Sequence, residues 1–267
     1  MFGADTLFMT PKGLVPLKKL KLFDKVLTPD GSFQPIVELG DWQLVDRIVR
    51  TSTGDEIYCS KDVLWHIVRD ATKGTLRGDF ASSFLYTDEL TPLIRAANIA
   101  VVKKSGRDKA LFDPYEYGVT IPLKIPAAYM TAKIEVRLAL LAGLIDSPIC
   151  EVISADKAYF GLYTKYPELA KSIVTLCRTL GIGVNCKVVD DLWIIRVSVT
   201  NDYAHLMPIR DPLKKPIYIS TTTQRVHFTR PKIIKKDYKK VYGRKVNVNG
   251  NFFVVGHSLL PVNTGLI

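Results

Sequence analysis

The chain has 267 residues, with 37 Lys or Arg against 26 Asp or Glu, so its formal net charge is +11. A hydrophobic content of 47% supplies a sizeable core and excludes a disordered chain. The longest apolar run, Leu138 to Ile145, has eight residues, whereas a membrane-spanning helix needs roughly 18. These figures exclude a membrane span.

The N-terminus shows no secretory signal, because it has an acid at position 5 and lacks a basic stretch followed by a long apolar one. We therefore expect a cytoplasmic or nuclear protein that is not secreted. The cysteines form no CxxC pair, which argues against a disulfide framework or a zinc module. Buried thiols are predicted at Cys59, Cys150, Cys177 and Cys186.

Residues 1–70 alternate short β-type runs with turn signals. Val26–Thr28 and Phe33–Leu39 flank Pro29-Asp30-Gly31, a pattern typical of a β-hairpin. Residues 70–110 are less regular. Further strands are predicted at Arg47–Thr51, Glu56–Cys59, Leu64–Val68 and Asn98–Val102, with a short helix near Asp88–Ala97.

From Thr131 the pattern becomes helical, with Thr131 as the predicted N-cap and Pro148 ending the run. A second helix is predicted from Pro167 to Gly181, which supplies the C-terminal cap. The first helix has apolar residues at spacings of three or four: Ile134, Leu138, Leu141 and Ile145. A hairpin is predicted from Val184–Val188 and Trp193–Val199.

β-type runs return near the C-terminus, at Lys245–Val248 and Phe252–Val255 around an Asn249-Gly250 turn. The order is therefore β, then α+β, then β. This order predicts an all-β domain split by an α+β insert. The predicted boundaries are 1–110, 111–215 and 216–264.

The positive charge is concentrated in residues 205–245, which hold twelve Lys or Arg against Asp211 and Asp237. Clustered bases with interleaved aromatic residues suit contacts with phosphates, and counterion release would drive binding. The alternative is a solvated basic surface. We predict double-stranded DNA as a partner, contacted by Lys214, Lys215, Arg225, Arg230, Lys232, Lys235 and Lys236.

Four motifs carry a family resemblance by their order along the chain. They are similar to the splicing motifs of inteins, the self-splicing elements with the Hint fold. The resemblance implies flanking extein segments as partners and splicing without a cofactor. The motifs are Gly3–Thr10 with Leu20–Gly31, Gly54–Val68, Val241–Val248 with Phe252–Val255, and Leu259–Thr264.

The resemblance places an N-terminal nucleophile at Met1 and a histidine that polarises the scissile amide at Val63. A thioether cannot make the acyl shift that a Cys or Ser makes, and valine cannot polarise an amide. Ser60 stands in the place of a family Thr. His66 is three residues beyond Val63, and strand alternation puts it on the wrong side to replace the histidine.

At the C-terminus, the resemblance makes Asn263 the residue that cyclises and Thr264 the hydroxyl acceptor. Val262 stands where the family has a histidine, and His257 is the predicted substitute. Gly243 stands where the family has Asp or Cys. These residues predict cleavage of the bond between residues 263 and 264 as the surviving chemistry.

Arg137–Asp146 resembles the LAGLIDADG motif of homing endonucleases. Two such helices pack together in that family, and acidic residues at their ends bind the metal ions that activate water. The usual metal-binding Asp aligns with Pro148, so Asp146 is the remaining candidate ligand, with Mg²⁺ needed only for nuclease activity. Asp113–Gly118 resembles the start of a first copy whose remainder is missing.

With one full copy and no second helix in the same chain, Ala142 and Gly143 are predicted to serve a homodimer or a structural core. Three functions are open on these observations. The first is an intein-like element with a decayed endonuclease insert, in which splicing is lost or reduced to cleavage at Asn263. The others are a free-standing DNA-binding relative of homing endonucleases and a repurposed Hint-fold binding module.

Overall fold

The computed structural model describes residues 1–68, 82–90, 95–96, 102, 112–154, 159–199, 201–215, 233–249 and 252–264. The chain divides into a β-rich unit, residues 1–100 with 230–267, and an insert, residues 101–229. The insert is α+β, so the predicted architecture of a β domain split by an α+β segment is confirmed. In these ranges no helix has the length and apolar character to cross a membrane.

The N-terminal part of the β-rich unit consists of short strands and two 3₁₀ helices, Leu17–Lys19 and Thr87–Glu89. The prediction of a helix near Asp88–Ala97 is wrong, because Arg95–Ala96 is a strand that pairs with Leu64–Val68. The strands are β1 (Phe2–Gly3), β2 (Leu7–Thr10), β3 (Gly13–Pro16), β4 (Lys25–Leu27), β5 (Phe33–Leu39), β6 (Gln43–Thr51), β7 (Glu56–Cys59), β8 (Leu64–Val68), β9 (Ser82–Tyr86) and β10 (Arg95–Ala96).

The insert packs helices on a four-stranded antiparallel sheet, and both long helices predicted from periodicity are present. The first begins at Ile134 after Lys133, so the prediction of Thr131 as its N-cap is wrong. The elements are α1 (Pro114–Val119), α2 (Ala127–Met130), α3 (Ile134–Asp146), β11 (Cys150–Ser154), β12 (Tyr159–Thr164), α4 (Pro167–Thr179), β13 (Gly183–Val189), β14 (Leu192–Ser198) and α5 (Asn201–Ala204). The sheet order is β11-β12-β14-β13.

A fully buried arginine ties two helices of the insert together. Arg137 of α3 donates to the carbonyl oxygens of Thr179, at the end of α4, at 2.6 Å, and of Val102 at 2.9 Å. Burial lowers the pKa of Arg137 to about 10, so the guanidinium remains charged at neutral pH. The helix-end carbonyl is a favourable partner for that charge.

The C-terminal strands complete the β-rich unit: β15 (Ile233–Arg244), β16 (Val246–Val248), β17 (Phe253–Val255) and β18 (Leu260–Asn263). Strands β1, β15, β6 and β7 close a barrel. A second sheet has the order β10-β8-β18-β17-β2-β3, with β9 also paired to β8, and a third has the order β16-β5-β4. Strand β18 therefore lies between β8 and β17.

All four cysteines are buried and free, as predicted. Burial raises the pKa of the Cys59, Cys150 and Cys177 thiols to about 12. These three thiols therefore stay protonated at neutral pH and are poor nucleophiles.

Candidate functional site

The start of the chain lies against the segment that follows β7. The Met1 nitrogen donates to the Ser60 hydroxyl oxygen at 2.6 Å, and the Ser60 amide donates to the Met1 carbonyl oxygen at 2.9 Å. The structure thus brings together two residues that the motifs assigned to one site. Cys59 precedes Ser60, but its buried, protonated thiol does not supply a nucleophile in place of Met1.

Strand β18, near the C-terminus, lies beside the start of β8, close to Ser60 along the chain. Asn263 pairs with Leu64 in the β18–β8 ladder, four residues after Ser60. The Asn263 and Thr264 side chains are both buried. The Thr264 hydroxyl donates to the Val246 carbonyl oxygen at 3.1 Å, which fixes the residue after the predicted scissile bond.

A polar network connects the surroundings of the two ends. The Thr264 hydroxyl also contacts the Asn247 side-chain oxygen at 2.7 Å, and the Asn247 amide donates to Glu38 at 2.5 Å. Lys245 lies 3.3 Å from Glu38. Burial lowers the pKa of the Met1 amine, and Lys245 is close enough to contribute to the lowering. The motifs gave no signal for Glu38, which is 209 residues from Asn247 along the chain.

The two histidine positions of the second motif differ in their surroundings. Val63 is fully buried in the core of the β-rich unit and offers no side-chain hydrogen bond. His66 lies on the other face of β8 from the buried Trp65 and stacks on Phe84 with the ring centroids 4.9 Å apart. His66 therefore does not take the place of the missing histidine, in line with the expectation from strand alternation.

His257, the predicted substitute histidine, lies in the turn between β17 and β18, and its role stays a prediction. Strands β17 and β18 form a hairpin in which Val255 pairs with Leu260 beside the turn. His257 lies in that turn, whereas Asn263 is the last residue of β18, roughly 10 Å of strand farther on. The His257 amide donates to Asp55 at 2.6 Å, so this residue is part of a turn anchored on Asp55.

The structure gives a steric reason for glycine at position 243, where the resemblance implies Asp or Cys. It pairs with Gly3 across β15 and β1. A Cβ atom at Gly243 would overlap the Phe2 carbonyl oxygen. An Asp or Cys at this position is therefore incompatible with the observed approach of β1 to β15.

In the insert, the motif helix already has a partner in the same chain. Helix α1 packs on α3, and a Cβ atom at Gly143 would overlap the Tyr115 carbonyl oxygen. Gly118 of α1 makes the reciprocal close approach to the Leu140 carbonyl oxygen. The premise that Gly143 lacks a helix in the same chain is therefore wrong, and this face is not available to a homodimer.

The candidate metal ligand Asp146 is a hydrogen-bond acceptor for its neighbours. Its Oδ2 atom accepts from the Tyr115 hydroxyl at 2.6 Å and from the Arg210 amide at 2.7 Å. Burial, with the Asp146 contact, raises the pKa of Tyr115 to about 12, so the hydroxyl keeps its proton. The Arg210 guanidinium lies 3.8 Å from the Tyr115 ring centroid.

These residues do not fit a magnesium ion. The resemblance places the metal ligand at Pro148, whose side chain has no donor atom for a metal. No group of three or more metal-binding side chains occurs within the described ranges. The Lys214 ammonium donates to the carbonyl oxygens of Ile145 and Ser147 at 2.9 Å each, so a protein cation already lies at this end of α3.

The basic residues predicted to contact DNA lie in different surroundings. Lys214 is engaged with the end of α3, whereas Lys215 is exposed. Lys235 and Lys236 lie in β15, opposite β6. Arg225, Arg230 and Lys232 lie outside the described residues. DNA binding by this region stays a prediction, and Lys214 has a structural role as well.

Lys214→Ala is expected to weaken the end of α3, because two helix-end carbonyls lose a charged donor. Such bonds contribute about 1–2 kcal/mol at a partly exposed position. Hydrogen exchange of peptides from α3 should therefore become roughly tenfold faster. The adjacent Lys215→Ala is the matched control and should leave exchange unchanged; equal effects of the two variants would contradict the assignment.

Part of the insert matches a known protein family. Residues 124–217 match the homing endonuclease family. The match includes α3, Asp146 and Lys214, and it confirms the endonuclease resemblance drawn from Arg137–Asp146. A search of the curated proteins finds no match.

Solved inteins are similar to the chain over nearly its whole length. The Msm DnaB1 intein splicing domain, solved with zinc bound, has 11% identity and a TM-score of 0.40, with 98% of this chain and 99% of that chain covered. A variant of the MchDnaB-1 intein has 10% identity and a TM-score of 0.39, with 98% of each chain covered. A variant of the gp41-1 intein has 9% identity and a TM-score of 0.37, with 98% and 97% covered.

Proposed function

We propose that the chain is an intein-like element that has lost the N-terminal step of splicing and retains cleavage after Asn263. The convergence of the two chain ends carries this proposal. Met1 contacts Ser60, and Asn263 pairs with Leu64, so both ends meet within one short segment. A splicing domain needs this arrangement, because it must join the segments that flank it.

The N-terminal step is lost because two reacting groups are missing, the nucleophile at position 1 and the histidine at position 63. Met1 has no ionisable proton with which to form a nucleophile. Val63, in the turn after Ser60, supplies neither a donor nor an acceptor from its side chain. Ser60 still holds the Met1 backbone, so the positioning part of the site remains while the reacting part is absent.

The C-terminal step needs only the Asn263 side chain and its own backbone carbonyl. The side-chain nitrogen attacks that carbonyl carbon, a succinimide closes, and the bond to Thr264 breaks with departure of the Thr264 amine. Hydrogen bonds hold Thr264 in place. Because Val262 stands where the resemblance implies a histidine that would protonate the leaving amine, the cleavage should be slow.

The proposal includes loss of nuclease activity in the insert. Pro148 replaces the metal-binding acid, Asp146 is engaged with Tyr115 and Arg210, and Lys214 lies at the end of α3. These contacts support a structural role for the helix.

Splicing itself is expected to return when both missing groups are restored. In a chain flanked by two reporter segments, Met1→Cys with Val63→His should yield the ligated reporters, and Met1→Cys alone should not. Mass spectrometry of the products checks this. Ligation by the single variant would show that Val63 is not the position of the missing histidine. A double variant that folds but makes no ligated product would contradict the assignment of the N-terminal site.

A further inference from the structure

Two hydrogen bonds connect an exposed carboxylate of the β-rich unit to the residue after the predicted scissile bond. Glu38 lies in β5 and Asn247 in β16, and the two residues pair directly across the ladder. Paired residues on neighbouring strands have their side chains on the same face of the sheet. The Asn247 amide nitrogen donates to the Glu38 carboxylate at 2.5 Å, and the Asn247 side-chain oxygen lies 2.7 Å from the Thr264 hydroxyl oxygen.

The Glu38 carboxylate determines which way the Asn247 amide points. An ionised carboxylate only accepts hydrogen bonds, whereas an amide side chain has a donating nitrogen and an accepting oxygen. The nitrogen of Asn247 therefore faces Glu38, and its oxygen faces Thr264. Lys245 donates to the two carboxylate oxygens of Glu38 at 3.3 and 3.4 Å, so the carboxylate lies between an ammonium and the Asn247 amide.

The Thr264 hydroxyl meets two acceptors. The Val246 carbonyl oxygen lies 3.1 Å from the hydroxyl oxygen, and the Asn247 side-chain oxygen lies 2.7 Å from it. Because both partners accept, the hydroxyl donates its one hydrogen towards them, and this fixes the side-chain rotamer of Thr264. Thr264 is 2% exposed, so water has little access to compete for that hydrogen.

We propose that Glu38 is a positioning residue for cleavage after Asn263, acting through the Asn247 amide on Thr264. The inference rests on the proposed function. Succinimide closure needs the Asn263 carbonyl carbon held in the path of the attacking nitrogen, and an error of about 1 Å in such geometry costs roughly a hundredfold in rate. Pairing with Leu64 fixes one side of that carbonyl, and the hydrogen bonds of Thr264 fix the other.

The test exchanges the donor and acceptor groups at positions 38 and 247. Asn247→Asp sets two carboxylates against each other, and cleavage should become about tenfold slower or more, the loss expected from one broken hydrogen bond to a charged group. Glu38→Gln added to Asn247→Asp restores a donor opposite an acceptor, and the rate should return to within about threefold of the parent chain. Glu38→Gln alone keeps an acceptor for the Asn247 nitrogen and should also stay within about threefold.

A matched pair of carboxylate variants completes the test. Glu38→Ala removes the acceptor without adding a charge and should slow cleavage about tenfold. Glu56→Ala is the control, because Glu56 is also a strand carboxylate in an ion pair, with Arg50, and its side chain is 50% exposed against 49% for Glu38. Its rate should be unchanged. Equal rates in the parent chain, Glu38→Ala and Asn247→Asp would overturn the proposal, as would a folded double variant that stays slow.

A second measurement separates this inference from the proposed function. In Asn263→Ala, which lacks the attacking nitrogen, NMR couplings of Thr264 report its side-chain rotamer. Asn247→Asp should change these couplings, and Glu38→Gln added to it should restore them. Unchanged couplings in Asn247→Asp would overturn this inference alone. A parent chain that does not cleave would overturn the proposed function, and the inference with it.

Discussion

Gly143→Ala should lower the free energy of unfolding of the insert by about 2–3 kcal/mol. The sign of this change in unfolding free energy is informative, because replacing Gly by Ala inside a helix ordinarily stabilises the helix by roughly 1 kcal/mol. Here the added Cβ atom overlaps the backbone carbonyl of Tyr115, and backbone cannot rotate away as a side chain can. Helix α1 must move off α3, and the contact at Gly118 is lost with it.

Hydrogen exchange of peptides from α3 measures the effect within the insert. Gly161→Ala is the matched control, since its Cβ atom would meet only side-chain atoms of Tyr163 and Ile153 at 3.1 Å or more. That variant should stay within about 1 kcal/mol of the parent chain. Normal protection of α3 in Gly143→Ala would contradict the close packing of α1 on α3.

The sequence predicted those elements whose signals are local. Helices α3 and α4 follow from apolar spacing, and the turn at Asp190 and Asp191 joins the predicted hairpin with positive φ at both residues. The position of His66 on the outer face of β8 follows from strand alternation. Each of these features depends on neighbours within a few residues, so periodicity reports it.

Features built from distant contacts could not be predicted in this way. Arg95–Ala96 is a strand because it pairs with β8, although its local pattern suggested a helix. The place of His257 in the turn, with Asn263 at the far end of β18, follows from the register of β17 and β18, which no local pattern specifies. Lys214 reaches Ile145 from 69 residues away, and its sequence context indicates only a basic segment.

The motifs predicted which segments come together around the candidate site, but not the polar contacts that surround it. Resemblance to a family placed Met1, Ser60 and Asn263 at one site, and the structure brings their segments together. The network from Glu38 through Asn247 to Thr264 had no motif. A polar network whose members come from different strands leaves no spacing in the sequence.

Asn263→Ala should abolish backbone cleavage that the unaltered chain undergoes between residues 263 and 264. The reaction consumes no water, because the bond to Thr264 breaks as the succinimide forms. The two products therefore have masses that sum to the precursor mass. Hydrolysis at the same bond would instead add the mass of one water to that sum, so the mass itself distinguishes the mechanisms.

Two further variants serve as controls in the same experiment. Asn185→Ala removes an exposed asparagine of β13 and should leave cleavage unchanged. Thr264→Ala removes the hydroxyl that bonds to Val246 and Asn247 but not the reacting groups, so it should slow the reaction without stopping it. Only loss of the Asn263 side chain should stop it completely.

The most direct measurement is the intact mass of the purified full chain, carrying a reporter after Ile267, followed over several days at neutral pH. The proposed cleavage predicts slow release of a fragment that begins at Thr264, with a succinimide on Asn263 and no release from Asn263→Ala. An unchanged mass over the whole period, or equal release from Asn263→Ala, would contradict it.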